Sequence, residues 1–106
     1  MKTKIIIKTS FEGIHSYANA PKEVEFLRCP HRHKFYVELE AVINKDRELE
    51  YFQQKQVIDR YISKNISSII SFLSCEAIAK KILQHFRQYD VVRVFEDNEN
   101  GSEVSR

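Results

Sequence analysis

The spacing of apolar residues changes along the chain, and the changes divide it into elements. Lys2 to Phe11 alternates, with Ile5 and Ile7 on one side and Ile6 among polar residues on the other, the two-residue period of a half-buried strand. Lys34 to Ile43 alternates more clearly, with Phe35, Val37, Leu39, Ala41 and Ile43 sharing one face. Between them, Glu12 to Glu23 contains Gly13, Asn19 and Pro21 and reads as a loop carrying His15. Val24-Glu25-Phe26-Leu27 reads as a short return segment. The two strands are expected to be antiparallel neighbours joined by this long connection, and long ordered connections are often functional.

After the polar turn Asn44 to Arg47 the period lengthens. From Leu49 onward, Val57, Ile58, Tyr61, Ile62, Ile66, Ile69, Ile70 and Leu73 recur mostly at three and four residues, which predicts an amphipathic helix. Serines and β-branched residues make Ser63 to Ser67 poor helix and predict a break there. Ser74 is placed to cap a second helix, with Glu76 in its first turn and Ile78, Ala79, Ile82, Leu83 and Phe86 as its buried stripe. Gln88-Tyr89-Asp90 is expected to end it. Val91 to Glu96 alternates again, with Val92, Val94 and Glu96 on one face and Val91, Arg93 and Phe95 on the other. Asn100-Gly101 is a hairpin signal, leaving Ser102 to Ser105 as a fourth strand or a tail. The predicted order is ββααββ, an α+β fold with two helices on one face of an antiparallel sheet. Such a sheet has open edges, which favours self-association.

Composition adds bounds rather than detail. A chain of 106 residues holds one domain, residues 1–106, with a modest core. The net charge of +2, with acids and bases interspersed, argues against a nucleic-acid partner. Ile5-Ile6-Ile7 is too short for a signal-peptide core, and no apolar run reaches the length of a membrane span. A cytoplasmic protein with Cys29 and Cys75 as reduced thiols is therefore expected.

The candidate chemistry lies at the start of the second strand. If that strand begins a few residues early, His31 and His33 share a face and Arg32 points away. His15 stands in the adjoining connection. Three imidazoles with a free fourth position are typical of catalytic zinc, and no carboxylate cluster argues for magnesium or calcium. On spacing alone, the same residues also fit two surface histidines at a strand start and a third in a loop.

Several segments resemble one family in the order they occur. Phe11-Glu12-Gly13-Ile14-His15 resembles the Phe-x-Ala-Ala-His opening of the 6-pyruvoyl-tetrahydropterin synthase and 6-carboxytetrahydropterin synthase family, and His31-Arg32-His33 resembles its His-Gly-His. Glu50-Tyr51 and Lys55 stand where the family has Asp-Phe and Leu-Lys. Leu73-Ser74-Cys75-Glu76 resembles its Pro-Thr-x-Glu, and Val94-Phe95-Glu96 its closing strand. The resemblance spans nearly the whole chain. It implies a tunnelling fold, in which sheets of several subunits join into a barrel as a trimer or hexamer. It also implies Zn2+ on His15, His31 and His33, and lyase-type chemistry on a reduced pterin of the dihydroneopterin triphosphate class. In the bacterial branch the product feeds 7-deazaguanine and queuosine synthesis. Glu96 is the implied anchor, since a carboxylate accepts the side-by-side donors of a pterin edge as it accepts a guanidinium. Glu76 and the Ser74 region are further substrate contacts.

Two departures bear on the chemistry. The family cysteine lies four residues before the first histidine of His-x-His, where this chain has Leu27. Cys29, the candidate general base, is two residues closer, a displacement of roughly 6–7 Å along a strand. The family's Asp-His pair between the helices has no counterpart; Asp59-Arg60 is nearest, and an arginine stays protonated. His85 reads as a surface or boundary residue of the second helix. Two functions follow: a zinc-dependent synthase-like protein, or a catalytically impaired pterin- or purine-binding or interaction module of the same fold.

Overall fold

Two thirteen-residue strands, β1 (Thr3–His15) and β2 (His31–Ile43), run the length of the computed structural model, which describes residues 1–68 and 72–106. They pair antiparallel over their full extent, from Thr3 opposite Ile43 to His15 opposite His31. The strand expected to end at Phe11 thus continues to His15, which belongs to the sheet and not to the connection. The alternation persists through this end: Gly13 and His15 are buried while Glu12 and Ile14 face out. Phe11 stacks on Phe35 with ring centroids 5.2 Å apart, which carries the ladder past the point where the sequence turns polar. The connection holds a 3-10 segment, Lys22–Arg28, with no buried residue. Its ends are tied by hydrogen bonds, the Tyr17 N–H donating to the Leu27 carbonyl at 2.7 Å and the Arg28 guanidinium to the Ala20 carbonyl at 2.8 and 3.0 Å.

Strands β3 (Val91–Glu96) and β4 (Gly101–Ser105) complete an antiparallel sheet in the order β1-β2-β3-β4. Because β3 pairs only with Phe35–Glu40, the end of β2 that carries His31 and His33 extends beyond it. The β3–β4 turn centres on Asp97 and Asn98, both at positive φ, with the Glu99 N–H donating to the Glu96 carbonyl at 2.9 Å. Asp and Asn tolerate this left-handed region, so the tight turn falls before the predicted Asn100-Gly101. Gly101 instead opens β4, where a Cβ would lie 2.2 Å from the Val94 carbonyl oxygen.

Helix α1 (Tyr51–Asn65) is capped by Glu50, whose carboxylate accepts the Gln53 N–H at 2.7 Å. It ends within the predicted break. Its buried stripe is narrower than the periodicity predicts: Ile58 and Ile62 are buried, whereas Val57 is exposed. Ile69 and Ile70 of the predicted stripe lie outside the described residues. Helix α2 (Cys75–His85) is capped by Ser74 as predicted, its hydroxyl accepting the Ala77 N–H at 3.1 Å. It stops at His85, before Gln88-Tyr89-Asp90, and Arg106 satisfies the helix end by donating to the carbonyls of Leu83 and Phe86 at 2.5 and 3.1 Å. Tyr89 is instead a core residue, and its hydroxyl donates to Gln54 at 2.7 Å.

Both helices bury their stripes on one face of the sheet. Ile58, Ile62, Ile78, Ala79 and Ile82 form a single core with Ile5, Ile7, Val37, Leu39, Ala41, Val92 and Val94. Among the described residues, no helix is long and apolar enough to cross a membrane.

The opposite face carries a ladder of charge. Arg93 bonds Glu40 and Glu103, approaches Glu38 at 3.5 Å, and stands across from Lys4, which reaches Glu40 at 3.2 Å. The Arg93 guanidinium holds the Glu40 carboxyl below its ordinary value of 4.5, against the opposing effect of burial. A carboxyl with a lowered folded-state pKa contributes stability that is complete above the ordinary value and is lost as pH falls through the folded one. Urea unfolding from about pH 6 to about pH 3 should therefore show a steeper acid loss in the wild type than in Glu40→Gln. Parallel acid profiles for the two proteins would remove this role for the pair.

Candidate metal centre

Pairing parity builds the site. His31 and His33 are two apart on β2, and His15 stands directly opposite His31, so all three imidazoles project from the face that carries the core. The buried Phe35 ring lies under the cluster, edge-on to His15 at 5.4 Å and to His33 at 6.0 Å. One ligand nitrogen from each histidine lies within 4.8 Å of the others. Donors on a tetrahedral zinc sit about 3.3 Å apart, given Zn–N bonds of about 2.0–2.1 Å, so small ring rotations close the set.

The hydrogen bonds decide which nitrogen faces inward. Nδ1 of His15 lies 3.1 Å from the Leu73 carbonyl, and Nδ1 of His31 lies 2.9 Å from the Cys29 carbonyl. Nδ1 of His33 lies 2.6 Å from the Asp97 carboxylate. All three partners can only accept, so each Nδ1 carries the proton and each Nε2 of a neutral ring keeps a lone pair. This is the outer arrangement that orients histidine ligands around a metal. Nε2 of His33 is buried without a hydrogen-bond partner among the described residues, an orphan that a metal would satisfy. The residues therefore fit a metal ion.

Asp97 was not visible as a functional residue in the sequence. The turn makes it one: its second oxygen accepts the Lys34 N–H at 3.0 Å while the first engages His33. These two bonds, the backbone one foremost, hold its carboxyl below the usual range. The only sequence signal was its place next to Glu96 in an Asp-Asn turn.

A cavity of about 600 Å³ opens beside the cluster, and His15 and His31 face it together with Ser74, Cys75, Glu76 and Glu96. Glu96 stands closest to the metal set, its oxygens 3.6 Å from Nε2 of His15 and Nε2 of His33. Glu76 accepts the Ser102 hydroxyl at 2.9 Å, so the start of α2 and the start of β4 are joined across the cavity wall. The structure thus brings together His15, His31, His33, Ser74, Glu76 and Glu96.

Cys29 is placed differently. It is exposed, meets His31 through its backbone carbonyl, and is not among the described residues lining the cavity. Leu27 lines the cavity instead. The cavity thiol is that of Cys75, at the first position of α2. Burial, followed by the charges of Glu96 and Glu76, pushes its pKa up to about 12. Asp59 accepts the Thr9 hydroxyl on α1, and His85 is exposed and stacks on Tyr61 at 4.0 Å. Neither lines the cavity.

The two thiols should therefore react differently. At about pH 8 a thiol with a pKa near 12 is almost wholly protonated, and the thiolate is the nucleophile. Thiol titration of the native protein should find one fast group, Cys29, with Cys75 reacting only after denaturation. Two fast thiols in the folded protein, or a fast thiol that persists in Cys29→Ser, would contradict this placement.

Comparison with protein-family models and with curated proteins finds no match to this chain.

Proposed function

We propose that this chain is a zinc-dependent, pterin-binding protein of the 6-pyruvoyl- and 6-carboxytetrahydropterin synthase type. The observation that carries the proposal is the set of three imidazoles whose Nδ1 atoms are all bonded to outer acceptors and whose ligand nitrogens lie within 4.8 Å of one another beside a two-carboxylate cavity. Imidazole nitrogens in this number suit zinc. Bound zinc would supply Lewis acidity to an oxygen of the ligand.

The chain's own residues would do the rest. Glu96 and Glu76 face the cavity as acceptors for a flat ligand edge that offers an amino group and a ring N–H side by side. A volume of about 600 Å³ lies in the range of small-molecule sites. Phe35, fully buried beneath the histidines, keeps water from their inner side. The residues for proton transfer are sparser. Cys29 stands outside the lining, Cys75 stays protonated, and the Asp-His pair of the resembled family has no counterpart. This favours the reading of a pterin-binding module with impaired turnover over that of a full lyase. A role in queuosine synthesis belongs only to the catalytic form.

The experiment has two stages. Elemental analysis should find one zinc per chain in the wild type and none in His31→Ala; equal zinc in both would refute the site. Calorimetric titration of a reduced pterin into the zinc-loaded protein should then show binding weakened about tenfold or more by Glu96→Gln, since a hydrogen bond to a charged group contributes about 1.5–3 kcal/mol. Unchanged affinity would exclude the anchor.

The sheet is part of the proposal. Among the described residues, β1 is an edge strand of thirteen residues with one side unpaired, and β4 is the other edge. Joining such edges between copies would give the tunnelling barrel as a trimer or hexamer. Sedimentation velocity at micromolar concentration should show one of these species; a lone monomer would sink the assembly.

A further inference from the structure

Three imidazoles do not exhaust the donors in the cluster. Glu96 occupies the last position of β3, opposite Phe35, on the face that carries His15 and His33. One of its oxygens is 3.6 Å from Nε2 of His15 and the other 3.6 Å from Nε2 of His33. That separation exceeds a hydrogen bond. It is close to the spacing of two donors on one zinc ion, about 3.3–3.5 Å for bonds of about 2.0–2.2 Å at a tetrahedral angle. In the neutral rings, whose Nδ1 protons point outward, the Nε2 lone pairs of two imidazoles face a carboxylate. Facing lone pairs repel unless a cation lies between them. Nε2 of His33 is buried and has no hydrogen-bond partner among the described residues to relieve it.

We propose that Glu96 is a fourth protein ligand to the metal, so that the ligand-free site is a closed set of three histidines and one carboxylate. The inference rests on the metal reading of the cluster and goes beyond it. Four protein donors are the pattern of a structural zinc site, and three with an open position that of a catalytic one. Glu96 also faces the cavity, so a ligand that offers it donors competes with the metal for the same oxygens. A ligand that drew the Glu96 carboxylate away would leave His15, His31 and His33 as the donors and open one position on a bound metal. Glu76, bonded to Ser102, remains as the cavity carboxylate outside the metal set.

Cobalt(II) tests this without any turnover, because its visible spectrum reports coordination number. The wild type loaded with Co2+ should give the strong absorption of a four-coordinate ion, and added azide should not move it. Glu96→Gln, checked for native circular dichroism, should bind Co2+ about tenfold or more weakly, and azide should shift its spectrum. Glu99→Gln, on the same turn, should behave as wild type. If the Gln variant does not fold, Glu96→Asp, which withdraws the carboxylate by one methylene, replaces it in the comparison. An azide shift in the wild type, or wild-type affinity and spectrum in the Glu96 variant, would overturn the fourth ligand while leaving the histidine site standing. Failure of the wild type to take up Co2+, or equal uptake by His31→Ala, would overturn both.

Discussion

The register between β1 and β2 is the constraint on which both the core and the candidate metal centre depend. One unbroken ladder places Ile5, Ile7, Val37, Leu39 and Ala41 under the helices at one end and His15, His31 and His33 together at the other. A slip of one residue would turn every side chain of a strand to the opposite face and separate the histidines. Burial of the apolar residues therefore sets the geometry of the imidazoles, some distance along the same strands. The outer face is consistent with the choice, since in this register Lys4 reaches Glu40 and Lys8 approaches Glu38, whereas a one-residue slip would turn one strand's charges inward.

The imidazoles are oriented by groups from three separate places: the carbonyl before α2, the carbonyl before β2, and the carboxylate in the β3–β4 turn. The cluster therefore draws on segments far apart in sequence. A metal bound there would hold the helix entrance, the long connection and the hairpin turn in mutual register. Binding energy at such a site is also folding energy, because the unfolded chain has no preformed site.

Electrostatics and burial assign the remaining polar groups. Cys75 lies where a reactive thiol would be useful, yet burial and two carboxylates keep it protonated. Cys29 is accessible, but it meets the cluster through its backbone carbonyl and is not among the described residues lining the cavity. Glu76 and Glu96 are thus the carboxylate acceptors that line the cavity, and Glu96 approaches the histidines at 3.6 Å.

Local patterns determined much of this protein. Two-residue alternation marked β2 and β3, three-and-four spacing marked the helices, and Ser74 marked the start of α2, because each signal is complete within a few neighbouring residues. The candidacy of His31 and His33 was legible for the same reason: parity along one strand puts them on one face. The continuation of β1 to His15 was not legible, because its evidence is the stacking of Phe11 on Phe35 and the pairing of Gly13 with His33, contacts far apart in sequence. Nor was the burial of Tyr89, whose hydroxyl bonds Gln54 and whose carbonyl accepts from Arg106, the residue that also caps α2. Asp97 became a partner of His33 only through a turn whose left-handed residues aim it across the sheet. Alternation along a strand tells which side a residue takes; which other strand, helix end or turn comes to meet it is decided by long-range packing, and that is a property of the tertiary structure alone.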